Sequence, residues 1–368
     1  MEQLVLTASF LVPLILSAVL FYNDRNNRPK LLLAFSMVNA TAVFIANYFY
    51  FLENLHIYTY LHSLHVALVL FIYPSIYFYV ADLTGKLSSL KKIWIHLLPG
   101  IAFFVAYLIF FDLHFDYNER VAFLSTYRDE ITNEARFRNV EITRLLNVAV
   151  IIIQVIAYSI AIFKESKRYN RRLKNEFSNA ENLQIKWLSW FNSALIIVAI
   201  ISVLFYVINP FSDENNTFLI LSMFAISVFI WLIGIWGNAQ PKILLPAEKK
   251  PSLESQNGID NIYKQLESLM LEKKYYLRPD LTLTELSKLA GTNRSYTSHA
   301  INTHGKSNFS SFVNKYRVEE AKKIMKEKPG IKLEQVALDS GFGSVLSMQR
   351  AFTRQTGLSP GKWKTKLQ

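Results

Sequence analysis

The sequence has no cysteine, which removes disulfides, thiolate catalysis and cysteine-ligated zinc from consideration without fixing a compartment. Glycine is sparse, 12 in 368 residues, and no glycine-rich phosphate loop occurs. There is no Ser-His-Asp order, no pair of acids spaced as a catalytic dyad and no kinase-type phosphoacceptor domain. The chain therefore reads as a non-enzyme with no cofactor and no metal centre. Acidic residues are few against 40 Lys and Arg, and the formal net charge is +12. Residues 242–368 hold 22 Lys/Arg against 12 Asp/Glu, so most of the excess lies at the C-terminal end. Such a basic module suits a polyanion through counterion release, or it is merely a solvated surface; charge alone does not separate the two.

Long apolar runs fill the rest. Half the residues are hydrophobic (51%) and the mean hydropathy is +0.19, too apolar for one soluble domain. Seven segments stand out: Leu4–Tyr22, Leu31–Leu52, Tyr58–Ala81, Ile93–Phe111, Leu145–Phe163, Trp187–Ile208 and Phe218–Trp236. Each has 19–24 residues, enough to cross a hydrocarbon core as a helix. The first has no basic residues before it, which argues against a signal peptide, and Arg25, Arg28 and Lys30 follow it.

Loop charges then alternate. Lys86, Lys91 and Lys92 lie after the third segment, and Lys164, Lys167, Arg168, Arg171, Arg172, Lys174 and Lys186 after the fifth. Residues 53–57, 112–143 and 209–216 carry no such excess. The positive-inside rule puts the N-terminus outside and the C-terminus in the cytoplasm, and Trp94, Trp187, Trp190 and Trp236 lie at expected cytoplasmic ends.

Several features stay open. The outer loop 112–143, with Asp116, Tyr117, Glu119, Tyr127, Asp129, Glu130, Glu134, Arg136 and Arg138, is either a site for an unknown ligand or membrane partner or a solvated connector. The basic loop 164–186 sets topology and touches anionic lipid, or contacts the C-terminal tail. His62 and His65, three apart, read as packing or hydrogen-bonding groups rather than metal ligands. Asn39, Asn47, Asn147, Gln154 and Asn192 read as helix glue, with a ligand cavity as the alternative.

Residues 238–258, with Pro241, Pro246 and Pro251, form a linker. An amphipathic helix runs from Ile259 to about Lys274, with Ile259, Ile262, Leu266, Leu269 and Met270 on its apolar face; it packs on the first helix pair downstream or forms a dimer contact. Then come two similar stretches, "LTLTELSKLAGTNRSYTSHAIN" (281–302) and "IKLEQVALDSGFGSVLSMQRAF" (331–352). Each reads as a short helix, a glycine turn (Gly291, Gly341) and a second, polar helix. The turn glycines lie fifty residues apart, an internal repeat. Residues four apart form the inward stripes: Leu286/Ala290 and Thr297/Ile301, then Val336/Ser340 and Met348/Phe352. Phe342 and Leu338 read as core. A connecting helix covers about Phe309–Lys326.

The stripes leave one face of each polar helix for DNA. On the first it carries Arg294, Ser295, Ser298, His299 and Asn302; on the second, Ser344, Ser347, Gln349, Arg350 and Arg354. Arg matches guanine edges, Asn and Gln match adenine, and Ser takes base or phosphate; the alternative for each is a solvated polar face.

The wording "DLTLTELSKLAGTNRSYTSHAIN", "NFSSFVNKYRVEEAKKIM", "LEQVALDSGFGS" and "AFTRQTGLSPGKW" resembles the DNA-binding domain of AraC/XylS-type transcription regulators, in order and spacing, over roughly 259–368. Thr297 stands where that family usually has Leu, Ile301 and Met348 where Phe is usual, and His299 where Arg is common. The resemblance implies two helix-turn-helix units in successive major grooves, an Arg317 that fixes the connecting helix or touches backbone, and action as a homodimer on promoters.

The expectation is an all-α chain in three parts. Residues 1–237 form a seven-helix transmembrane bundle in a bacterial cytoplasmic membrane, 238–258 a cytoplasmic linker, and 259–368 a soluble domain with two helix-turn-helix units. Its partners are double-stranded DNA and the lipid bilayer. The expected role is a one-component transcription regulator that senses a signal through its membrane part. A transporter or enzyme with a fused regulator, and a tethered factor released by proteolysis, are the rival readings.

Overall fold

In the computed structural model the described residues, which are 2–23, 26–87, 93–125, 137–208, 214–243, 245–246 and 256–366, form helices joined by turns, with no strand among them. These fall into two compact units, Met1–Lys167 with Ile185–Ile243, and Arg168–Gln184 with Leu244–Gln368. Residues 168–184, expected as a membrane-side loop, thus belong to the unit that holds the C-terminal tail.

The first unit contains α1 (Glu2–Asn23), α2 (Arg28–Phe51), α3 (Leu55–Leu83), α4 (Ile93–Tyr107), α5 (Tyr117–Leu124), most of α6 (Arg138–Glu176), α7 (Lys186–Ile208) and α8 (Glu214–Ala239). Their starts follow from the sequence. The Asn27 and Asn54 side chains accept from backbone N–H groups of the first turns of α2 and α3, and Pro29 sits where its missing donor costs nothing. Asp116 and Glu119 form a reciprocal capping box on α5, inside the expected outer loop 112–143. The expected fourth span is helical only to Tyr107 and continues as a π-helical turn, Leu108–Asp112. Helix α6 is 39 residues long and outruns its apolar segment at both ends, because no Gly or Pro interrupts 138–176. Among the described residues six helices are long and apolar enough to cross a membrane: α1, α2, α3, α4 with its π-turn, α6 and α8. Helix α7, the expected sixth span, has 23 residues.

Within this unit α1 packs on α2, α2 on α3 and α3 on α4, while α8 lies against α1, α2 and α7. Of the five polar residues read as helix glue, Asn39 and Asn192 bond across helices. Asn39 Nδ2 donates to Leu68 O at 3.1 Å, and Asn192 Nδ2 to Ser159 O at 3.2 Å. His62 and His65 both meet the Tyr58 hydroxyl, at 3.3 and 3.1 Å. The ends of the helices are sorted by charge. Buried Asp82, at the end of α3, lies 3.3 Å from Arg28 and 3.7 Å from Lys242, and Lys86 pairs with Glu165 at 2.6 Å. The Trp187 and Trp236 rings meet at 6.0 Å, so the first turn of α7 is level with the last turn of α8. Elsewhere, His56 meets the Tyr117 hydroxyl at 2.9 Å, joining two of the segments without basic excess, 53–57 and 112–143.

Large apolar residues also face away from the unit. On α6, Leu145, Ile152, Ile156, Ile160 and Phe163 are exposed at helical spacing, as are Ile95, Leu98, Ile101 and Val105 on α4. Lys91, Lys92 and Arg25, the acidic and aromatic residues Tyr127, Asp129, Glu130 and Glu134, Arg136, and Pro251 of the linker lie outside the described residues.

The second unit adds α9 (Gln256–Leu271), α10 (Leu283–Leu289), α11 (Arg294–Thr303), α12 (Phe309–Glu327), α13 (Leu333–Asp339), α14 (Val345–Thr356) and α15 (Pro360–Thr365). It has two cores. Ile259, Leu266 and Met270 of α9 pack with Leu286, Ile301, Phe309 and Val313 in one. Val318, Met325, Val336, Met348 and Phe352 form the other, with Trp363 packed on it. Helix α12 feeds its first half to one core and its second half to the other, which makes it the beam of the unit.

Candidate nucleic-acid interface

Each polar helix is positioned by a short partner and a tight turn. Thr282 caps α10 through its hydroxyl, which accepts from Glu285 N at 3.1 Å; Asn293 caps α11 by accepting from Tyr296 N at 3.1 Å. Ser344 caps α14, accepting from Ser347 N at 3.1 Å. Gly291 and Gly341 turn the chain with φ of 59° and 81°. They differ in one respect. A Cβ on Gly291 would meet nothing, whereas one on Gly341 would stand 2.5 Å from Tyr276 O and 2.6 Å from Leu277 Cα. The inward stripes are as the spacing demands: Leu286, Thr297, Val336, Ser340, Met348 and Phe352 are completely buried, with Ala290 and Ile301 nearly so. Thr297 fits its position because its hydroxyl donates to Asn293 O at 3.1 Å.

Leu338 is a correction. Expected in the core, it is 67% exposed. It lies two residues past Val336, about 200° around the helix from the inward stripe, so its apolar character did not decide its side.

The Thr-Gly-Leu-Ser-Pro run also acquires a mechanism. Gly357 ends α14 in the left-handed region, the Thr356 hydroxyl donates to Phe352 O and accepts from Leu358 N, and Ser359 caps α15 with Pro360 in its first turn.

The candidate residues are not equally available. His299, Asn302, Arg350 and Arg354 are exposed, and Arg294, Ser295, Ser298, Ser344 and Gln349 are half-buried. Ser347 is buried, its hydroxyl donating to Ser344 O at 2.8 Å, so it is occupied in starting its own helix. Leu346 is exposed beside these residues; a search for polar groups passes over it.

Arg317 organises the unit from inside. It is completely buried and spends its guanidinium on five acceptors. Nε donates to Tyr276 O at 2.6 Å, Nη1 to Asn179 Oδ1 (3.1 Å) and Asn314 Oδ1 (3.4 Å), and Nη2 to Arg278 O (2.7 Å) and Ser178 Oγ (3.0 Å). Burial pushes its pKa down to about 9, with Asp280 acting the other way, so it stays charged at neutral pH. Burial and a hydrogen bond to Glu320 (2.9 Å) raise the Tyr276 pKa, so that hydroxyl remains a donor.

Two of those acceptors come from residues 168–184. Phe177 makes an antiparallel bridge to Thr282, Ser178 N donates to Leu281 O at 3.2 Å, and Ser310 Oγ donates to Ser178 O at 2.9 Å. On either side of this turn stand two acids. Glu176 Oε2 is 2.5 Å from Arg294 Nε, and Glu181 Oε2 is 2.7 Å from Arg350 Nη1. The sequence leaves contact between this segment and the tail open beside contact with anionic lipid. Its one signal was a pair of acids in a stretch otherwise read for its basic charge.

Residues 286–366 match the family model described as "Helix-turn-helix domain". No curated protein and no solved structure matches the chain. With the two capped, glycine-turned helix pairs on either side of α12, the match makes residues 286–366 an AraC-type helix-turn-helix domain, and this part of the chain a sequence-specific regulator that binds double-stranded DNA.

Proposed function

We propose that the protein is a membrane-embedded, one-component transcription regulator. The observation that carries this is a helix-turn-helix domain on the same chain as six helices long and apolar enough to cross a membrane. The exposed apolar stripes of α4 and α6 support lipid contact, since water would penalise a surface of that kind. The alternation of loop charge supports an outside N-terminus and a cytoplasmic tail. DNA and a membrane share a compartment where no nuclear envelope intervenes, hence a bacterial cytoplasmic membrane. The seven-segment part, roughly residues 1–237, senses a signal from outside or from the bilayer.

On this reading α10–α11 and α13–α14 are two helix-turn-helix units, and α12 holds α11 and α14 for successive major grooves about 34 Å apart. Ser295, Ser298, Asn302 and Gln349 read base edges, His299, Arg354 and the N-terminal ends of both helices face phosphate, and Arg294 and Arg350 serve either purpose. Ser344 and Ser347 contribute by setting the start of α14. A homodimer would place four such helices on a promoter.

The test uses full-length protein in membrane vesicles and a random-sequence duplex pool. Selection should enrich one discrete motif, and Ser298→Ala/His299→Ala/Gln349→Ala should abolish enrichment. Enrichment by the triple variant equal to the wild type would refute the assignment.

A further inference from the structure

The acids on residues 176–181 hold the arginines that the proposed function gives to DNA. Arg294 is the first residue of α11, and Arg350 lies in the middle of α14. A carboxylate oxygen at 2.5–2.7 Å from a guanidinium nitrogen occupies the place a phosphate oxygen or guanine edge would take. The two pairs differ in strength. Arg350 and Glu181 are partly solvated, so that pair is individually weak. Glu176 is buried to 3% exposure, and besides Arg294 it accepts from Thr284 N (3.4 Å) and Thr284 Oγ1 (2.5 Å). If DNA drew Arg294 away while Glu176 stayed in place, a buried carboxylate would lose its cation, which is costly. Arg294 is therefore released to DNA together with the segment, not ahead of it. The segment's backbone is held by the Phe177–Thr282 bridge and by Ser310 on Ser178 O, and its Ser178 and Asn179 side chains by Arg317, so both acids move as one piece.

We propose that residues 176–181 are a built-in acidic competitor of DNA: Glu176 and Glu181 occupy Arg294 and Arg350, and DNA takes these arginines when the segment withdraws. Glu176 is the last residue of α6, so displacement of that helix end is the route by which the restraint is lifted. This inference rests on the reading of α11 and α14 as the DNA-facing helices.

The experiment measures binding of full-length protein, in detergent micelles, to a random-sequence duplex pool. Glu176→Gln/Glu181→Gln keeps the acceptors for Thr284 and removes the charge; it should bind roughly tenfold tighter than the wild type, a usual size for coupling between sites. A second variant locks the segment. An ideal Cβ on Gly343 lies 3.7 Å from Asn179 Cβ, inside the roughly 3.5–4.5 Å range of disulfides, and the chain has no cysteine to compete. Asn179→Cys/Gly343→Cys should lose roughly tenfold in DNA affinity on oxidation and regain it with dithiothreitol. Unchanged or weaker binding by the Gln variant, or equal binding by the oxidised and reduced lock, overturns the proposal. Ser298→Ala/His299→Ala/Gln349→Ala separates this failure from that of the underlying reading. If that variant still binds as the wild type does, the helices do not face DNA; if it loses binding while the other two variants are inert, only the competitor is lost.

Discussion

Arg317 Nη2 donates to the Ser178 hydroxyl at 3.0 Å, joining two residues 139 positions apart in the chain. The contact fastens residues 177–179 to the DNA-binding unit. All five N–H donors of Arg317 find acceptors, and a lysine offers three on a point charge. Arg317→Lys should therefore destabilise the unit by about 3 kcal/mol. Hydrogen exchange at the α12 amides of full-length protein should speed up by roughly a hundredfold, and unchanged protection would contradict the role given to Arg317.

The two turn glycines should respond differently to one substitution. Gly291→Ala meets open space and costs only the left-handed conformation, about 1–2 kcal/mol. Gly341→Ala adds a collision with the Tyr276–Leu277 backbone and should prevent the second helix pair from folding. Thermal unfolding followed on both variants checks this, and equal losses would show that the close approach does not matter.

On the DNA face, His299 is exposed and stands where the resembling family favours Arg. His299→Arg should tighten binding to every duplex and steepen the dependence of log affinity on log salt by about 0.9, the signature of one added phosphate contact. Leu346, exposed on α14, has no charge to give and suits a thymine methyl. Leu346→Ala should relax base preference at one position and leave the salt slope as it was. A changed slope would move Leu346 out of that role.

The absence of cysteine makes the proposed orientation testable by labelling. Asn118, on α5, and Lys326, on α12, are both exposed. In intact cells a membrane-impermeant maleimide should modify Asn118→Cys, and Lys326→Cys only after permeabilisation. The reverse pattern would invert the topology.

The sequence makes legible whatever a local period or a local cap decides. Leu286/Ala290, Thr297/Ile301, Val336/Ser340 and Met348/Phe352 are buried because four-residue spacing fixes a helix face before any partner is known. The α9 stripe behaves the same way: Ile259, Leu266 and Met270 are buried in the first core, with Ile262 and Leu269 packed against it. Leu338 is exposed because its spacing from Val336, and not its hydrophobicity, decides its side of the helix. The extension of α6 to Glu176 follows from helix propensity, since no Gly or Pro interrupts 138–176, and the charge of that stretch carries no sign of it. The pairing of Glu176 with Arg294 and Glu181 with Arg350 spans more than a hundred residues, and no local pattern encodes such a contact. It depends on the Phe177–Thr282 bridge and on Arg317, whose own partners are mostly backbone carbonyls and amide oxygens that carry no sequence signal.

The central claim is that this chain regulates promoters from the membrane. Its most direct test is genome-wide mapping of DNA bound to the full-length, membrane-resident protein, beside Ser298→Ala/His299→Ala/Gln349→Ala. The account predicts discrete promoter peaks in the wild type that vanish in the variant while the protein stays intact in the membrane fraction. An absence of peaks across several growth conditions, with the intact protein still in that fraction, would contradict it.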